Sequence, residues 1–153
     1  MLFRTHLAFG ILVFFLLNLI FEIPNRILFF IFVVLGAIIV DIDVKNSRVG
    51  KNWVFRPFQF FIKHRGMVHS LLFGLLIGVL IAWVNEWAGF GFFAGYVSHL
   101  FLDFLTTSGI ELFWPWKKKF GLWLSTGGIT EEIFFVLVLL IDFWFVLGLV
   151  GII

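Results

Sequence analysis

No cysteine occurs among the 153 residues, which excludes disulfides, thiolate metal sites and a cysteine nucleophile. Charge is scarce as well. Only 13% of residues are Asp, Glu, Lys or Arg, where a soluble domain carries about a quarter. A small-residue cleavage site is missing before Glu22, so the apolar N-terminal stretch "MLFRTHLAFGILVFFLLNLIFEIPNR" reads as a retained first span rather than a cleaved signal. Internal repeats and low-complexity tracts are absent too. What fills the chain instead is apolar: 62% hydrophobic residues, with 24 Phe and 7 Trp. A particle this small buries the least of its surface and cannot hide so much apolar area from water. The expectation is an integral membrane protein forming a single membrane-embedded domain over residues 1–153. The net charge of +2 points to no partner, and no nucleic acid is expected.

Five apolar segments, about 5–21, 24–40, 68–84, 88–105 and 132–152, are continuous and lack the two-residue alternation of strands. A bilayer admits only helices or closed barrels. The fold class is therefore all-α: a helical bundle of about five transmembrane helices. Pro24 suits a helix start, and Thr130 before Glu131 and Glu132 reads as an N-cap with an acidic first turn. The connections at 41–67 and 106–131 mix Trp and Phe with Lys and Arg, a composition that suits the headgroup layer. Each is expected to be interfacial, with a short helix lying on the membrane.

Alternating spans put the N-terminus and both long connections on one side. That side carries Arg4, Lys45, Arg48, Lys51, Arg56, Lys63, Arg65 and Lys117 to Lys119, ten of the eleven basic residues, against Arg26 alone on the other. The positive-inside rule makes the first side cytoplasmic. The expected localisation is the cell's inner membrane, multi-pass, with the N-terminus in the cytoplasm.

All four histidines fall on that same side. His6 opens the first helix. Asp41 and Asp43 close the second as a D-x-D, and "HRGMVHS" puts His64 and His69 before the third. In "GYVSHLFLDFL", His99 and Asp103 are four apart, hence on one helical face. Ionisable pairs inside spans are rare and mark function. Each residue also has a plainer reading: a hydrogen bond tightening the bundle for His99 and Asp103, a solvated helix end for the D-x-D, and a headgroup contact for His64. Arg65 reads equally as a topology-setting charge or as a phosphate fork. Together the side chains offer nitrogen and oxygen donors without sulfur, which suits Zn, or Mn and related ions. Seven candidates leave room for one or two ions.

"THLAFG", "DIDVKNS", "HRGMVHSLLFG" and "GYVSHLFLDFLTTSGIELFWPW" resemble the blocks of the YdjM-like, LexA-regulated membrane-bound metal-dependent hydrolases over roughly residues 1–120. The resemblance implies a small membrane protein with a metal-dependent hydrolase site, suggested to act on phospholipids. By motif it points to His6, Asp41, His64, His69, His99 and Asp103. A more distant similarity is to zinc-dependent phospholipase C and P1-type nucleases, which share the His-x-x-x-Asp pair. A second His-x-x-x-Glu pair is missing here, which argues against a three-metal site unless Glu131 and Glu132 substitute.

The resulting expectation assigns metal ligation to His6, Asp41, His69, His99 and Asp103, and catalytic roles to Asp43, His64 and Arg65. The expected function is hydrolysis of a phosphoester, with phospholipid as substrate, at the cytoplasmic leaflet. The alternatives are a proton or metal-ion transporter, for which Asp142 in the middle of the last span would matter, and a non-catalytic protein fastened by its metal. Gly74, Gly78, Gly91 and Gly95 are available for close packing within the chain or in a homo-oligomer.

Overall fold

The computed structural model describes residues 1–43, 51–53, 56 and 66–151. Among the described residues five α-helices are bounded: α1 (Phe3–Ile20), α2 (Arg26–Ile39), α3 (Leu71–Ala82), α4 (Glu86–Phe104) and α5 (Ile129–Leu149). The described residues contain no named strand, so the chain is all-helical as expected. Two helices, α1 and α5, are long and apolar enough to cross a membrane. With 14 and 12 residues, α2 and α3 fall short of the roughly 20 that a perpendicular span needs.

Local signals set the helix starts. The Asn25 side chain accepts from the backbone N–H of Leu28 and caps α2, so the helix starts at Arg26 rather than at Pro24 as the sequence suggested. Ser70 caps α3 through the N–H of Phe73, and Asn85 caps α4 through that of Ala88. The expected Thr130 cap is not formed. Helix α5 begins at Ile129 behind Gly128, which places Thr130 inside its first turn rather than at the cap.

Helix α4 is the centre of the bundle. Its small residues let backbones approach, and they do so within the chain. A Cβ on Gly95 would meet the Val33 carbonyl of α2, and one on Gly91 would lie 2.9 Å from the Phe29 ring. On the α3 side, a Cβ on Gly74 would run into the ring of Tyr96. Val40, Val68, Phe92, Tyr96, Leu100 and Ile110 form the main core cluster. Ile110 comes from the connection after α4. The described residues of this connection hold no helix, contrary to expectation. They fold back through isolated bridges pairing Thr106 with Leu124 and Ile110 with Phe120. The Leu112 carbonyl accepts from the N–H of Leu71, so the connection closes the end of the bundle over the start of α3.

Large apolar side chains stand on the outside of every helix, among them Leu19, Ile27, Leu76, Phe101 and Leu140. Helix α5 packs on α1 through Ala8, Leu12 and Val138 and leaves most of its surface open. An outer surface of this kind is stable against hydrocarbon rather than water.

Candidate metal centre

The start of α1, the end of α2, the start of α3 and the end of α4 all lie at one end of the bundle. Each carries a polar side chain to the same point. His6, His69, His99 and Asp103 are all buried. His6 Nε2 lies 3.4 Å from Asp103 Oδ1, and His69 Nε2 lies 3.6 Å from Asp103 Oδ2. His99 Nε2 is 3.8 Å from Asp103 Oδ2 and 3.8 Å from Asp41 Oδ1. The His6 and His99 rings stack with centroids 3.8 Å apart, and the His69 ring stands edge-on to His99.

The tautomer of His99 follows from its neighbour. Nδ1 lies 2.7 Å from the carbonyl oxygen of Ala37. A carbonyl only accepts, so Nδ1 carries the proton and donates it. Nε2 is then a bare lone pair aimed into the cluster, and among the described residues it has no hydrogen-bond partner. A histidine held by a backbone carbonyl through one nitrogen, with the other nitrogen free, is the usual arrangement of a metal ligand. His6 Nδ1 is likewise buried without a hydrogen bond among the described residues. One donor atom each from His6, His99 and Asp103 lie within 4.8 Å of one another, and Asp41, His69 and His99 make a second such group. Nitrogen and carboxylate donors at this spacing fit a divalent cation of the zinc or manganese type.

Asp41 sits in the 3-10 turn Val40–Asp43 that ends α2. Burial pushes its carboxyl above the ordinary range, and the His6 imidazole is the largest influence in the opposite direction. Two anionic carboxylates near each other in a buried site repel unless a cation lies between them. Among the described residues, the α-ammonium of Met1 is a cationic neighbour of Asp103 and donates to its Oδ1 at 2.7 Å.

The five ligand candidates therefore converge. Of the catalytic candidates, Asp43 closes the 3-10 turn by its backbone, but its side chain lies outside the described residues, as do His64 and Arg65 entirely. Glu131 and Glu132 are not substitutes in the cluster. Buried Glu131 accepts from the N–H of Leu2 and the hydroxyl of Thr5 through Oε1, and from the N–H of Gly127 through Oε2. Glu132 pairs with Arg4 at the surface.

Sequence reasoning missed two supports of the site. Tyr96 donates its hydroxyl proton to the Val68 carbonyl, next to His69, and its oxygen is 3.2 Å from that of Ser70. It is the sole tyrosine among 24 phenylalanines, and a hydroxyl retained where Phe is the rule was the available signal. The Glu131 clasp left no local trace.

The family described as YdjM inner membrane protein matches residues 1–152. Among curated proteins, the inner membrane protein YdjM of Escherichia coli (strain K12) is 35% identical over 98 residues, 58% of this chain and 50% of that protein. Its namesake in Shigella flexneri matches with the same figures. The uncharacterized protein YvsG of Bacillus subtilis (strain 168) is 30% identical over 104 residues, 64% of this chain and 65% of that protein. The match thus spans about half the length of the two YdjM proteins. No solved structure matches the chain.

Proposed function

The chain belongs to the YdjM inner membrane protein family, and on that premise we propose that it is a membrane-embedded, metal-dependent hydrolase acting on a phosphoester, with membrane phospholipid as substrate. The observation that carries this reading is the meeting of His6, Asp41, His69, His99 and Asp103 from four helix ends, with the His99 tautomer set by Ala37. In this reading all five helices traverse the bilayer, and the cluster lies at the cytoplasmic face, where ten of eleven basic residues would gather.

One divalent ion, zinc in the first place, is the occupant we infer. Both donor groups draw on His99. Its Nδ1 is committed to Ala37, so a single nitrogen remains and it serves a single ion. A bound cation would supply Lewis acidity, polarising a phosphoryl oxygen and acidifying water. The remaining work belongs to the chain's own side chains. Ala37 and Tyr96 hold His99 and the His69 turn in place. Asp43 or His64 takes a proton from the attacking water, and Arg65 grips a non-bridging phosphate oxygen through its planar fork. A site at headgroup depth needs no extraction of lipid from the bilayer, because the scissile bond is already there.

The test is purified full chain, loaded with Zn or Mn, assayed on a panel of phospholipids. Release of a headgroup or phosphate that disappears in His99→Ala and Asp103→Ala supports the reading. Bound metal with no turnover across the panel rejects the hydrolase. It favours instead a metal that only fastens four helix ends, which the buried position of the donors also allows. In that case chelation lowers the melting temperature and abolishes nothing else.

A further inference from the structure

At the opposite end of the bundle from the histidines, a groove of about 460 Å³ opens between α1 and α5. Phe15, Asn18 and Leu19 line one side, and Trp144, Phe145 and Gly148 the other, with Arg26 at its mouth. The Phe15 and Phe145 rings stack at 5.1 Å and form its floor. A Cβ on Gly148 would meet nothing within 4 Å, so the space beside it is open. Two features make this more than an apolar surface. Arg26 is the one basic residue at this end of the chain's spans, and it is exposed with no ion pair among the described residues. Asn18 is bound on one side only: its Nδ2 donates to the Phe14 carbonyl at 2.8 Å, while its Oδ1 is buried without a hydrogen-bond donor among the described residues.

An occupant must therefore offer an acyl chain to the apolar walls, an anion to Arg26 and a hydrogen-bond donor to Asn18. We propose that the groove is a binding site for a single glycerophospholipid of the outer leaflet, whose phosphate pairs with Arg26 and whose headgroup hydroxyl or ammonium donates to Asn18 Oδ1. Trp144 lies near the C-terminal end of α5, an indole suits the headgroup boundary, and an arginine at a span end reaches the phosphate layer by extending its stem. The site shares no residue with the histidine cluster and does not depend on a metal.

The experiment uses the full-length protein in phosphatidylcholine vesicles carrying a photoactivatable probe lipid, with labelled peptides identified by mass spectrometry. Phosphatidylglycerol and phosphatidylethanolamine probes are expected to label the peptides around Asn18 and Gly148 several-fold more than a phosphatidylcholine probe, which lacks a donor. Gly148→Leu, which fills the groove, should lower labelling there with every probe. Arg26→Gln should lower it several-fold, Arg26→Lys should keep most of it, and Asn18→Leu should remove only the preference over phosphatidylcholine. Metal content should stay the same in all four variants. Labelling spread evenly over the exposed face of α3, or unchanged in Gly148→Leu and Arg26→Gln, would mean ordinary boundary lipid and would overturn the proposal. So would cross-links joining two copies of the chain through the groove.

Discussion

Glu131 offers the sharpest test of how the bundle is held. Its carboxylate accepts three hydrogen bonds, from Leu2 N at 2.7 Å, Thr5 Oγ1 at 2.8 Å and Gly127 N at 2.7 Å, and it is only 1% exposed. These bonds tie the first turn of α1, which carries His6, to the first turn of α5. Glu131→Ala leaves all three donors without their acceptor. A hydrogen bond to a charged group contributes about 1.5–3 kcal/mol. Bonds sharing one acceptor do not add, so the loss is bounded at about 3–5 kcal/mol, as for a broken buried ionic contact. Glu131→Gln keeps an oxygen for Leu2 and Thr5 but turns an amide N–H₂ against the N–H of Gly127, so it loses one bond, about 1.5–3 kcal/mol. For a chain this size each kcal/mol moves the melting temperature by about 2–4 °C. Thermal unfolding in detergent should therefore show a fall of roughly 10 °C for the Ala variant and about half that for Gln. Thr5→Val, which removes one donor, should lie above both. An Ala variant that melts with the wild type, or no more cheaply than Gln, would refute the clasp.

Gly95→Ala puts a methyl group against the Val33 carbonyl. Its cost in stability should be about 1–3 kcal/mol, and metal affinity should fall with it, because the same helix carries His99 and Asp103. Tyr96→Phe removes the hydroxyl that donates to Val68. A loss of about 1 kcal/mol, with weaker metal binding through the His69 turn and an unchanged helical content by circular dichroism, is the expected result. Asp43→Ala, His64→Ala and Arg65→Ala should retain the metal and lose lipid turnover, whereas loss of the metal itself in the Asp43 or His64 variant would make that residue a ligand.

The apolar runs located the five described helices to within a few residues, because each helix is a continuous apolar run bounded by polar or turn-forming residues. The convergence of His6, Asp41, His69, His99 and Asp103 was also readable, since alternating helix direction sends those five chain positions to the same end. Two things were not. The fold-back of the connection after α4 depends on Ile110 joining a core made by Val40, Val68 and Leu100, a tertiary demand that outweighed its membrane-surface composition. Glu131 looked like an ordinary first-turn acid, and its true partners Leu2 and Thr5 are 129 and 126 residues away. Local pattern carries no record of such a contact. The packing of Gly74, Gly91 and Gly95 was anticipated only as a choice between partners within the chain and between chains. Within the chain, these glycines face Tyr96, Phe29 and Val33.

Elemental analysis of the full chain purified without added metal, set beside His99→Ala, bears most directly on the cluster. The expected result is close to one equivalent of zinc or manganese per chain in the wild type and almost none in the variant, with both proteins equally helical. A wild type free of metal that also takes up none on dialysis against zinc or manganese would contradict the account, and with it the hydrolase.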